Sequence, residues 1–514
     1  MKRNLLIILT FIAMLVFVSC GRDTESNDAK EYDTNINDCA NSDDFNLQND
    51  EHIYRAVEST LEGEITILVP IMYGERLNNN DLLIYARLFN ELHPHVSIKF
   101  EGYRIPFDMS QHTALTTRLL ADPPDLLSFL PAYLSFEKMR HEVVFANLYN
   151  FFDGPRGIDL DDYFSNIFRA AEIRRGLFHM PLYVSLEMTF LNRRLFEGIG
   201  VDVSEISTIT IDEELDFYFR ITEAFPDEDI FYNREFSIYQ ILMRQQLYDI
   251  ETGIVLVDTP QVRQRFELAM QIPMTPISQN PNIPGGIVTL FPGGPGITIT
   301  TVSDNNASAF FLTPTSSIAW PTRYTFAAGE QHIIFLGEHP NMQFSKPVFM
   351  ASGDEGNFRF TTMEALAVMQ YATNQDLAWE FLRFIMEFED SMDCLLGTRG
   401  LYHATRAGLP VNRTRFENQV GATLSHNLDV SMTMSPGLWH FVDIPLEEHR
   451  TQTIDTAMEF YRRGLEKVNY EIQRNAAVIF DLVYPDIWLL YSGQQDIPTT
   501  LANIQNRLEL YVHE

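Results

Sequence analysis

Cysteine is nearly missing from this 514-residue chain: only Cys20, Cys39 and Cys394 are present. No Cys/His set has metal-ligand spacing, which argues against zinc fingers and ribbons, and no metal site is expected. Basic residues are scarce, 37 Lys and Arg against 70 Asp and Glu, for a net charge of −33. A body this acidic disfavours nucleic acid and anionic lipid surfaces. Past residue 18 no apolar run reaches the roughly 20 residues that span a bilayer. Catalytic signatures are missing too: there is no Gly-x-Ser-x-Gly and no His-Glu-x-x-His. The glycine-rich stretches at 283–286 and 291–294 lack a following Gly-Lys-Ser/Thr and read as turns. Acidic pairs such as Asp161-Asp162 and Glu213-Glu214 read as solvated helix starts.

The N-terminus is the first positive signal. Met1-Lys2-Arg3-Asn4 is basic, and Leu5 to Val18 is apolar but too short to span a membrane. This fits a secretory signal over 1–20. Its end, Phe17-Val18-Ser19-Cys20-Gly21, resembles a bacterial lipobox, with Phe17 in place of the commoner Leu. In that class Cys20 is lipidated and becomes the new N-terminus, and two acyl chains anchor stably. Residues 21–58 are rich in Asp, Asn and Ser, bury too little apolar area to order, and read as an acidic tether. Cys39 lies in that tether, so Cys39 and Cys394 read as free thiols, with a disulfide between them as the alternative.

About 460 residues remain, too many for one core, so two lobes are expected. "EITILVPIM" has the continuous apolar run of a buried parallel strand. "LLIYARLFNELHP" carries apolar residues at helical spacing; "HVSIKFEGY" is a strand, "FDMSQHTALTTRLLADPP" a helix and "PDLLSFL" a strand. This β-α-β-α-β order predicts a doubly wound parallel sheet, with ligands beyond the strands' C-terminal ends. "GLFHMPLYVSLEMTFLNRRLF" reads as a hairpin running into a long strand. Further on, Leu377, Phe381, Leu382 and Ile385 share one helix face, as do Leu501, Ile504, Leu508 and Tyr511 near the end. Trp379 and Trp488 sit at core-like helical spacing and read as packing residues.

Taken in order, these segments resemble the extracellular solute-binding proteins of ABC importers, in the carbohydrate-type branch that includes maltose-binding proteins. The further matching pieces are "NQDLAWEFLRFIM", "GLPVNRTRFE" and the closing "LANIQNRLELYVHE", while the pattern Gly176-Leu177-Phe178-His179-Met180-Pro181 is a looser version of the family's own. The resemblance covers about residues 62–514 and is weak over 205–345. It implies an α/β, two-lobe periplasmic-binding-protein-like fold with a ligand cleft between the lobes. The first lobe would comprise 59–185 and 356–405, the second 186–355 and 406–514. The chain would cross near Pro181–Asn192, Phe358–Tyr371 and Leu401–Val411. The implied protein is a monomer without cofactor, anchored at the outer face of the cell membrane, that hands a sugar to ABC permease subunits.

A sugar offers hydroxyls and apolar ring faces, so its site needs flat aromatics with carboxylates and amides. Candidates lie at strand ends and crossings: Tyr73, Asp125, Tyr183, Glu187, Trp320, Tyr324 and Trp439. Each has a plainer reading as packing, cap or turn. The same fold with a peptide or polyamine ligand, or a sensor role, is the alternative. A surface glycoside hydrolase is a remote one, since it needs two carboxylates about 5–10 Å apart across one bond. The expectation is a binding protein and not an enzyme.

Overall fold

The run from Ile65 to Val69 becomes the central strand of a sheet in the computed structural model, which describes residues 61–71, 80–104, 109–129, 141–153, 156–191, 193–227, 238, 241–242, 247–249, 252–272, 289–290, 297–298, 310–314, 348–352, 357–387, 408–421, 446–471 and 476–513. Strand β1 (Gly63–Ile71) is followed by helix α1 (Asn80–Leu92), β2 (Val96–Arg104), α2 (Met109–Ala121) and β3 (Leu126–Phe129). β1 pairs in parallel with both β2 and β3, as the sequence pattern predicts. Alternate side chains leave a strand on opposite faces. Ile65, Ile67 and Val69 therefore enter one core with Phe89 of α1, and Leu68 enters another layer with Leu115 and Leu119 of α2.

Helix α3 (Ser165–Ala170) leads to a tight turn in which Ile173 and Gly176 exchange both backbone hydrogen bonds at 2.9 Å. Its two central residues, Arg174 and Arg175, both have positive φ, 48° and 64°. Such turns favour Asn-Gly, because the left-handed region crowds a β-carbon. Replacing Arg174→Asn and Arg175→Gly together should raise stability by about 1–2 kcal/mol, read as a higher urea midpoint.

The chain then enters β4 (Met180–Leu191) and, after a short helix Arg193–Gly198, β5 (Thr208–Ile209), α4 (Ile211–Ala224) and α5 (Pro260–Ala269). Thr210 and Glu213 form a capping box that starts α4. The later strands are β6 (Phe310–Pro314), β7 (Val348–Ser352) and β8 (Asn357–Val368). α6 (Gln375–Glu387), β9 (Leu409–Pro410), α7 (Leu446–Lys467), β10 (Val468–Glu471), α8 (Ala476–Tyr491) and α9 (Ile497–His513) complete the described elements. Among the described residues ten strands join one mixed sheet, whose main path runs β9-β4-β7-β8-β3-β1-β2.

Two large cores hang on this sheet. The first holds β1, α1, the lower half of β4 and α6, whose Leu377, Phe381, Leu382 and Ile385 are all buried as expected. The second holds Leu191, Leu195, Ile209, Leu215, Phe266, Val348, Val483 and Ile487, together with the expected α9 residues Leu501, Ile504 and Leu508. The change of core comes later than position 406. Leu409, Val411, Phe416 and Val420 belong to the first core, as do Tyr461, Leu465 and Val468. β9 is held against Tyr183 and Val184 on the first-core half of β4. Of the two tryptophans expected to pack, Trp379 is buried and donates to the Arg156 carbonyl at 2.8 Å. Trp488 instead sits on the outer side of α8, 53% exposed.

Candidate ligand site at the crossing strands

β4 is long because it serves both cores, with Met180 to Leu186 in the first and Leu191 in the second. In its first half β4 pairs with β8, from Met180↔Leu366 to Ser185↔Thr361; in its second half it pairs with β6 and β7. The sequence expectation of crossings over Pro181–Asn192 and Phe358–Tyr371 falls on these two strands. β10 adds a third segment, parallel to β8 through Phe358↔Val468 and Phe360↔Glu471. β8 also pairs with β3 up to Ala365↔Phe129. All three segments thus extend beyond the C-terminal end of β3, where open α/β sheets bind their ligands.

Three polar side chains meet there. Glu471, the last residue of β10, accepts a hydrogen bond from the Thr362 hydroxyl of β8. Its Oε1 lies 3.7 Å from His179 Nε2, just before β4. The His179 ring packs edge-on to Phe129, centroids 5.8 Å apart. Nearby, the Tyr103 hydroxyl at the end of β2 donates to the Ser128 carbonyl at 3.1 Å. Burial pushes that phenol's pKa well above its ordinary value, so it stays a donor. The buried Glu471 carboxylate thus bonds β10 to Thr362 of β8 and faces the imidazole at the foot of β4. Sequence reasoning missed this group. His179 lay inside the Gly176–Pro181 pattern, but Glu471 ends a strand that is legible only through its pairing. No group of three or more metal-ligating side chains occurs among the described residues.

The structure takes two of the seven candidate residues elsewhere. Asp125 lies at the N-terminal end of β3, away from the stretch of the crossing segments that extends beyond Phe129. Its Oδ2 accepts from Thr66 N at 2.8 Å and its Oδ1 from Asn374 N at 3.0 Å, so it staples β1 to the start of α6. Tyr183 points into the first core, 4% exposed, where its hydroxyl accepts from Arg415 Nη2 at 2.7 Å. Glu187 is on the crossing part of β4, its backbone opposite Pro314. Tyr73, Trp320, Tyr324 and Trp439 lie outside the described residues, as do Cys20, the other two cysteines, the tether and the two glycine-rich turns.

Solved structures provide the comparison. An extracellular solute-binding protein family 1 member from Alicyclobacillus acidocaldarius superposes with a TM-score of 0.51 at 11% identity, covering 89% of this chain and 100% of that one. The fold is that of the two-lobe extracellular solute-binding proteins. An oligosaccharide periplasmic-binding-protein candidate from Synechococcus sp. MITs9220 gives 0.50 at 14% identity, covering 87% and 98%. A de novo designed cysteine esterase also matches, with TM-score 0.50, 14% identity and coverage of 88% and 99%. The solute-binding fold therefore carries more than one job, and its sites have to be argued residue by residue. No protein-family model and no curated protein sequence matches the chain.

Proposed function

We propose that this chain is the solute-capturing subunit of an ABC importer, lipid-anchored through Cys20 at the outer face of the cell membrane, and that its solute is a sugar or oligosaccharide. The observation that carries this reading is β4, which passes from the first core to the second, with β8 paired along its first half and β10 paired to β8, all three running past the C-terminal end of β3. Such a joint permits two lobes to close on a solute, and closure is favoured only by contacts that differ between the open and closed states. A permease can read the closed shape, and a lipid anchor raises the binder's effective concentration beside it. The sugar preference draws on the solute-binding fold and on the abundance of Phe and Tyr, 38 and 21 residues. Glu187, Tyr73, Trp320, Tyr324 and Trp439 are the proposed contacts.

A thermal-shift screen of mono- and oligosaccharides, polyamines and short peptides tests this. A sugar at 100 times its Kd should stabilise the protein by about 2.7 kcal/mol. The increment should vanish in Trp320→Ala or Glu187→Ala while the unliganded midpoint stays put. A response to polyamines or peptides alone would keep the fold and overturn the ligand class.

A further inference from the structure

Strand β7 splits its side chains between the two cores. Val348 belongs to the second core, whereas its neighbour Phe349 is buried in the first. The backbone of Phe349 pairs with Thr208 of β5, whose neighbour Ile209 is in the second core, and with Met188 of β4, and its N–H donates to Ser207 O at 3.1 Å, while further along β7 Ala351 pairs with Phe358 of β8. Its ring, however, lies flat on Phe460 of α7, centroids 4.3 Å apart and 4° from parallel, with Phe358 at 4.9 Å. α7 is fixed on the other side. Tyr461 and Leu465 are fully buried in the first core, and Asn166 of α3 donates to the carbonyls of Leu465 and Val468 at 2.8 and 2.7 Å.

Gly464 makes the seat. A β-carbon there would meet Leu186 Cδ1 at 2.6 Å and the Phe349 ring at 2.7 Å. Glycine in the interior of a 22-residue helix costs about 1 kcal/mol relative to alanine. A local rule broken at a close backbone approach points to a constraint on geometry. We infer that Phe349 is a plug at the hinge. It is carried by a second-lobe strand and seated against Leu186, Phe358, Phe460 and Gly464, and this seat sets the resting angle between the lobes. Any rotation about the crossing strands has to slide the ring within the seat. This rests on the two-lobe fold and not on the nature of the solute.

The test uses the full chain in detergent, without ligand. Ketone-bearing amino acids replace exposed Thr117 on α2 and Glu267 on α5, and carry nitroxides, so the native cysteines are left alone. Pulsed electron-paramagnetic-resonance distances are then compared. Gly464→Ala should move the mean interlobe distance by about 2 Å or more, the scale of helix shifts at packed interfaces. Phe460→Ala, which empties the far wall of the seat, should broaden the distribution. Wild-type distributions in folded forms of both variants would overturn the plug. Should Gly464→Ala fail to fold, the gentler Phe460→Leu decides alone: a shifted or broadened distribution supports the seat, and an unchanged one removes it. Because no solute is added, a negative result here leaves the importer reading where it was, and a failed sugar screen leaves the plug untouched.

Discussion

Arg415→Ala should destabilise the first core by about 4 kcal/mol. Arg415 is 4% exposed, just past Asn412, whose side chain caps its backbone N–H at 2.9 Å. Its guanidinium reaches three elements. Nη2 donates to the Tyr85 hydroxyl of α1 at 2.6 Å and the Tyr183 hydroxyl of β4 at 2.7 Å, and Nη1 donates to the Ile385 carbonyl of α6 at 2.6 Å. Hydrogen bonds to a charged group contribute about 1.5–3 kcal/mol each, and they do not simply add. Removing the donor also strands two phenols and a carbonyl away from water. Arg415→Lys should recover only part of the loss, since an ammonium cannot reproduce the planar fork. Tyr183→Phe should cost about 1.5 kcal/mol and leave solute affinity as it was. Urea midpoints check the first three values; a ligand titration checks the last. A loss under about 1 kcal/mol for Arg415→Ala would mean that the packed apolar residues alone hold α1, β4 and α6 together.

That cluster marks the boundary of what the sequence reveals. The β-α-β-α-β unit was legible because its signals are local: a continuous apolar run at Ile65–Val69, and a helical stripe through Leu82, Tyr85, Ala86 and Phe89. The stretches at 180–191 and 357–368 were legible as strands. The partner of Tyr183 was not legible, because the group that engages its hydroxyl lies 232 residues further on. A tyrosine in an apolar strand looks the same whether its hydroxyl meets a sugar or an arginine. Glu471 escaped notice for the same reason: its partners are Thr362, 109 residues away, and His179. Which core a late helix packs on was not legible, because nothing local separates a helix lying on one core from a helix on the other. α7 is assigned by Tyr461 and Leu465, and by the side chain of Asn166. Trp488 shows the reverse error, since helical spacing gives a face but not what covers it.

Asp125→Ala should cost about 3 kcal/mol and leave solute capture intact, and the two halves of that result belong together. The carboxylate accepts the backbone N–H groups of Thr66 and Asn374, at 2.8 and 3.0 Å, and its own backbone pairs with Thr66 O and Met369 N. Alanine leaves two donors unpaired at a site where Asp125 is 7% exposed, and each such donor costs about 1–3 kcal/mol. Asparagine keeps one acceptor oxygen, so Asp125→Asn should lose roughly half as much. Because these bonds sit at the N-terminal end of β3, the damage lies at the opposite end of that strand from the stretches of β4, β8 and β10 that extend beyond Phe129. The unliganded urea midpoint should therefore fall in the order wild type, Asp125→Asn, Asp125→Ala, while the stabilisation added by a saturating solute stays constant across the three. The opposite pattern, an unmoved midpoint with the solute increment lost in Asp125→Asn, would return Asp125 to the ligand. It would also put the cleft at the wrong end of a parallel sheet, against the strand polarity on which the placement of the site depends.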